Sequence, residues 1–295
     1  MKRPRSRQAE PVRADLGGRV CIVTGATAGI GKEIARQLAA LGATVVIAGR
    51  NLARTEAAAE EIARDTGNEA VETAHLDLAS QDSIRGFAGE VVERFGRVEV
   101  LANNAAVWQP QRHLSADGIE LTWAVNVLGP HLLTGLLADV LRKGQDARIV
   151  NVASRLAGGL DLSDVEFRRR RYNGIAAYRQ SKQALRMLSW TWAERLEADG
   201  VTVGAAHPGF TRSDIARDVG GWQGTVVRAF FGRCGQSPQC GADTPLWLAA
   251  SSQAQGQSGR FWVKRREWSC PYRDPAAREQ LWEILCRQSH ISTTC

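Results

Sequence analysis

Short apolar runs alternate with longer amphipathic stretches along most of the chain. Runs rich in β-branched residues at 20–24, 44–48, 69–75, 98–103, 148–153, 201–207 and 259–263 are mostly apolar on both faces, the pattern of strands covered on each side. Between them, apolar residues recur at helical spacing over 31–41, 51–66, 81–95, 121–143 and 177–199. This alternation predicts βαβ units and so an α/β fold. The expected architecture is one domain over residues 18–265, a doubly wound, seven-stranded parallel sheet with helices on both faces. Such sheets take ligands outside the carboxyl ends of their strands.

The rhythm breaks after the sixth strand. Over residues 211–242, Gly220, Gly221, Gly224 and Gly232 interleave with Trp222, Phe230 and Phe231. A surface loop has this composition, and so does a lid whose aromatic residues cover an apolar ligand. The lid is the expectation, because the segment follows a strand at the binding edge. Residues 1–17 read as a basic, flexible tail and 266–295 as a C-terminal extension.

Composition changes the picture little. The apolar share of 44% and charged share of 23% are ordinary for a globular chain of 295 residues with one large core. A net charge of +7 raises nucleic-acid binding as a function. The basic residues are spread out, however, apart from residues 1–13 and 168–171, and no helix-turn-helix, zinc-ligand or RNA-recognition pattern accompanies them. The expectation is a solvated basic surface that attracts an anionic cofactor, with no nucleic-acid partner. The polar N-terminus lacks the apolar core of a signal peptide, no stretch is expected to cross a membrane, and a cytoplasmic location is expected. Of the six cysteines, none forms a CxxC pair, and Cys21 falls in a core strand. They are expected as reduced thiols without metal, a Cys234–Cys240 bridge being the alternative.

Candidate chemistry starts in the turn after the first strand, Thr24-Gly-Ala-Thr-Ala-Gly-Ile-Gly31. Glycines there let the backbone approach a pyrophosphate, and the helix N-terminus that follows offers free N–H groups. Gly25, Thr27, Gly29, Ile30 and Gly31 are the candidate cradle for a dinucleotide, which makes the fold a Rossmann fold. After the second strand the chain reads Gly49-Arg50-Asn51, with no carboxylate to receive a ribose 2′-hydroxyl. Glycine leaves room for a 2′-phosphate and Arg50 can clamp it, so NADP(H) is the expected cofactor, with Asn51 beside it.

Tyr178 and Lys182 stand four residues apart at the head of a helix, on one face. A free phenol has a pKa of about 10. A neighbouring ammonium is expected to lower it and fit Tyr178 to exchange a proton with a forming alcohol. Tyr172 is a rival phenol, but four residues on it meets only Ala176. Ser154, after the fifth strand, can hydrogen-bond the reacting oxygen. Asn126 is a polar amide in an otherwise apolar helical stretch.

These motifs, in this order, resemble those of the short-chain dehydrogenases/reductases over residues 16–263. Added to them are Asp77-Leu78, Asn103-Asn104-Ala105-Ala106 and Pro208-Gly209. The resemblance implies that Asp77, with Leu78, meets the adenine, that Asn104 lines the cofactor channel and that Lys182 also holds the nicotinamide ribose. It implies too that Asn126 anchors a proton-relay water and that Pro208, Gly209 and Thr211 embrace the nicotinamide. Within the family the chain resembles the retinol dehydrogenase and WW-domain oxidoreductase-like branch. That likeness rests on a wide Ser154-to-Tyr178 gap, on Arg168-Arg-Arg-Arg-Tyr172-Asn-Gly174, on Ser258-Gly-Arg-Phe-Trp262 and on Leu281-Trp282. The asparagine motif departs by ending in Ala106, where the family usually has glycine.

The expected function is interconversion of a carbonyl and an alcohol on a lipophilic small molecule, retinoid-, steroid- or polyketide-like. Catalysis falls to Asn126, Ser154, Tyr178 and Lys182. Reduction of a C=C bond, and a non-catalytic NADP-binding sensor, are the alternatives. A homo-oligomer, dimer or tetramer, is the family's expectation.

Overall fold

The computed structural model describes residues 10–211 and 235–291. One sheet carries strands in the order β3-β2-β1-β4-β5-β6-β7-β8. Its parallel members are β1 (Val20–Thr24), β2 (Thr44–Gly49), β3 (Val71–His75), β4 (Val100–Asn103), β5 (Arg148–Val152), β6 (Thr202–His207) and β7 (Arg260–Val263). Every residue of β1, β4 and β5 is buried, as the unbroken apolar runs require.

An eighth strand, β8 (Arg266–Glu267), corrects the expected seven; it folds back antiparallel on β7. Its two-residue connection, Lys264 and Arg265, has φ of 53° and 57°, the left-handed turn that suits a tight hairpin. Arg265 is held there by its fork onto Asp243 and by donation to the Glu10 carbonyl at 2.6 Å. Neither Asn nor Gly marks this turn, and a strand of two residues has no periodicity to detect.

The helices are α1 (Gly29–Ala40), α2 (Leu52–Thr66), α3 (Gln81–Phe95), α4 (Leu121–Arg142), α5 (Gly174–Arg195), α6 (Pro238–Ala250) and α7 (Pro275–Ser289). On one face, Ile34 and Leu38 of α1, Ile62 of α2 and Leu246 of α6 meet the sheet. On the other, Phe87 of α3, Leu132 of α4, Trp192 of α5 and Leu285 of α7 form the larger core. Side-chain acceptors start six of these helices: Asn51, Ser80, Glu120, Asn173, Ser237 and Asp274 receive N–H groups of α2, α3, α4, α5, α6 and α7. The N-terminus of α1 differs. Ala28 offers no side-chain acceptor, and no acidic residue stands in the first turn.

Among the described residues one helix passes by length and composition alone as long and apolar enough to cross a bilayer: α4 has 22 residues and a mean hydropathy of 1.4. Burial inside the fold of 83% of its apolar window accounts for that composition. Ala124–Leu128 widen within it into a π-helical turn. Cys21, Cys240, Cys270 and Cys286 are in no disulfide, whereas Cys234 lies outside the described residues. So do Trp222, Phe230 and Phe231 of the expected lid.

Residues 266–295 supply α7, which closes the larger core. Trp282 is fully buried, edge-on to His131 at 4.8 Å and Trp192 at 4.9 Å, with the Arg195 guanidinium over its ring. Burial holds the His131 imidazole neutral, with a pKa of about 3. Trp282→Ala should therefore cost about 3–5 kcal/mol in urea denaturation. Trp268→Ala, at a ring 46% exposed, should cost no more than about 1 kcal/mol. Equal, small losses would contradict the place given to α7 in the core.

Candidate active site

A cavity of about 850 Å³ lies at the carboxyl ends of the strands, where β1 and β4 lead to helices on opposite faces. Its floor is a junction of two loops. Thr24 Oγ1 receives the N–H groups of Asn104 and Ala105 at 3.0 and 3.1 Å, and the Asn104 amide donates back to the Thr24 carbonyl at 2.9 Å. The backbones meet so closely that side chains are excluded. A Cβ on Gly25 would stand 2.9 Å from Ala105, and one on Gly31 would run into the Asn104 amide and the Gly25 carbonyl. Gly25 and Gly29 also hold φ of 66° and 58°.

Ala28, Gly29, Ile30 and Gly31 line the cavity, so the uncapped N–H groups of α1 belong to its wall. A cradle that a Cβ would fill, beside a helix start without an internal acceptor, fits the phosphates of a dinucleotide. Thr27, Arg50, Asn51, Asp77, Leu78 and Asn104 line the same wing of the cavity. Asn51 Oδ1 is engaged as the α2 cap, receiving the Arg54 N–H at 3.0 Å. Asp77 Oδ1 receives the Ala79 N–H at 2.9 Å.

Ser154, Tyr178, Lys182, Pro208, Gly209 and Thr211 line the other wing. Ser154 Oγ accepts from Leu156 N at 3.1 Å and shares its cavity wall with the Tyr178 phenol. Lys182 is buried beneath that phenol, its Nζ 5.7 Å from the ring centre and donating to the Val152 carbonyl at 3.0 Å. The electrostatics differ from the expectation. Burial pushes Tyr178 up to about 12, and the Ser154 hydroxyl opposes the rise. Burial also pulls Lys182 down to about 7, so desolvation outweighs the help that an ammonium gives a phenolate.

Asn126 stands apart from the candidates gathered in the cavity. Fully buried in the π-helical turn, it receives Val107 N at 2.8 Å and donates to Val107 O and Ser181 Oγ at 2.9 and 3.1 Å. It thus ties the loop after β4 to α5 from behind the wall. The gap between Ser154 and Tyr178 is a loop organised by Asp164, which receives the N–H groups of Arg168 and Arg170 at 2.7 and 3.0 Å. The side chains of Arg168, Arg169 and Arg170 pair with Glu166, Ser163 and Asp164 inside this loop, which accounts for most of the basic run.

Sequence reasoning missed Trp108, Arg155, Leu156, Ile175, His207 and Phe210, all in the cavity wall. Leu156 and Ile175 are more than half exposed, and Phe210 is 41% exposed. Their positions beside Ser154, Tyr178 and Pro208 were the available signal. Burial, then the charges of Arg155 and Arg186, hold His207 neutral, at about 4.

Residues 19–224 match the family model described as short chain dehydrogenase. The chain is 37% identical over 285 residues to retinol dehydrogenase 13 of Homo sapiens, covering 94% of this chain and 86% of that one. To polyprenol dehydrogenase of Mus musculus it is 38% identical over 270 residues, covering 88% and 80%. A crystal structure of a metagenomic short-chain oxidoreductase in complex with NADP shares 30% identity at a TM-score of 0.60, over 80% of this chain and 92% of that one.

The Lys182 site has a measurable signature. Between about 7 and the ordinary 10.5, the unfolded chain carries this proton and the folded chain does not, so stability rises with pH through that window. Denaturation curves from pH 7 to pH 9 should show the wild type gaining stability relative to Lys182→Met. Two parallel pH dependences would contradict the assigned burial.

Proposed function

The chain belongs to the short-chain dehydrogenase family of oxidoreductases, and we propose that it uses NADP(H) to interconvert a carbonyl and an alcohol on a lipophilic small molecule. The observation that carries this reading is the convergence of Ser154, Tyr178 and a buried Lys182 in one cavity wall. Bound NADPH supplies the hydride. The chain's own residues manage the oxygen and its proton. Ser154 and Tyr178 line one wall of the cavity, and a carbonyl oxygen beside them can accept from both hydroxyl groups. A phenol held near 12 is protonated at neutral pH, which suits it to donate as the oxygen gains charge. Lys182, when protonated, then stabilises the phenolate left behind.

Support for NADP(H) over NAD(H) comes from the end of β2. Gly49 and Arg50 line the cavity there, and among its described lining residues the carboxylate is Asp77, beyond β3. The similarity to a short-chain oxidoreductase complexed with NADP points the same way. Support for a lipophilic substrate comes from Trp108, Leu156, Ile175 and Phe210 around the mouth. Retinol and polyprenol dehydrogenases among the relatives carry names of lipophilic alcohols.

Calorimetric titration should find NADPH binding at least tenfold tighter than NADH, with the gap collapsing in Arg50→Ala. Equal affinities in the wild type would remove the NADP(H) assignment. With a carbonyl substrate in hand, Tyr178→Phe should lower kcat by roughly 10²–10⁴ while leaving NADPH affinity within about threefold. A retained kcat would remove Tyr178 from the chemistry.

A further inference from the structure

The substrate wing of the cavity is cationic in a way that hydride transfer does not require. Arg155 follows Ser154 directly and lines the cavity. Its guanidinium stacks over the Trp268 ring at 4.5 Å. A guanidinium held over a ring keeps N–H donors that can fork a carboxylate. Among the described residues, none accepts a hydrogen bond or forms an ion pair with that guanidinium. Glu267, next to Trp268, is already engaged by Arg260 at 3.0 Å and Arg273 at 3.9 Å.

A second guanidinium reinforces the field. Arg186 is buried behind Ser154, donates to the Ser154 carbonyl and lies 3.7 Å from the Phe261 ring centre, with no carboxylate partner among the described residues. Buried cations are ordinarily paired within the protein. The carboxylate in the described cavity wall, Asp77, stands on the opposite wing, beyond β3. Two arginines thus flank Ser154 without an anion among the described residues to balance them.

The hairpin supplies the remaining piece. Trp268 N donates to the Phe261 carbonyl at 2.7 Å, extending the β7–β8 pairing by one step. That step carries a half-exposed indole under Arg155, and the left-handed turn at Lys264 and Arg265 brings the chain back to make it.

We propose that the carbonyl compound received by Ser154 and Tyr178 is an amphipathic acid. Its apolar body lies against Trp108, Leu156, Ile175 and Phe210, and Arg155 forks its carboxylate. Arg155 is then a specificity-determining residue, aimed by Trp268. This rests on the carbonyl-reductase reading above and adds the ionic class of the substrate to it.

The test is a panel of phenyl keto acids with the ketone two to six carbons from the carboxylate, each assayed beside its methyl ester with NADPH. In the wild type, kcat/KM should favour at least one acid over its ester by about tenfold or more, mainly through KM. That ratio should fall to about one in Arg155→Met, fall partway in Trp268→Ala and survive in part in Arg155→Lys. Turnover of esters as good as or better than that of every acid overturns the inference and leaves the carbonyl-reductase reading standing. No turnover of acids or esters by enzyme shown to bind NADPH counts against that reading, and the inference falls with it.

Discussion

A lysine taken out of water sets the electrostatics of this cavity wall. Lys182 is 2% exposed, and its ammonium has the Val152 carbonyl as its hydrogen-bond acceptor among the described residues. The fold imposes this burial, because α5 packs its apolar face on the sheet and carries Lys182 and Tyr178 down on successive turns. Removing water disfavours both charged forms at once, pulling the amine towards neutrality and pushing the phenol up. The resting pair is therefore a proton-bearing phenol above an amine near its titration point. That state suits donation to an oxygen that becomes negative, the step the proposed function asks of Tyr178.

The same economy of space shapes the cofactor wing. Asn104 and Thr24 lock the loop after β4 to the loop after β1 through hydrogen bonds, with room at Gly25 and Gly31 for backbone alone. The start of α1 is left without a side-chain cap as part of that arrangement. What would be a defect in a structural helix becomes a binding surface where phosphates can receive the N–H groups. Asn126 acts at longer range, from a π-helical turn that joins the wall after β4 to α5.

Much of this was legible in the chain. Unbroken apolar runs predicted the parallel strands, because burial on both faces leaves no polar alternation. The glycine loop, Ser154, Tyr178 and Lys182 were singled out as residue types at fixed offsets, and they line one cavity. Three things were not legible, each for a physical reason. The pKa direction at Tyr178 depends on desolvation, a property of the packed wall rather than of spacing along a helix. The strand β8 and its hairpin turn lack turn residues, being held by the contacts of Arg265 instead. The alignment of Arg155 with Trp268 joins residues more than 100 positions apart, which no local pattern encodes.

The sequence holds three tyrosines, Tyr172, Tyr178 and Tyr272, so ring-labelled tyrosine gives a carbon NMR spectrum that Tyr178→Phe assigns directly. Following the Tyr178 phenolic carbon as pH rises through the ordinary phenol value of about 10 tests the account at its centre. The account predicts that Tyr178 remains protonated past that value, with a midpoint at about 12. A midpoint below about 10 would mean that the Lys182 charge, rather than burial, sets the phenol, and the resting state described here would be wrong.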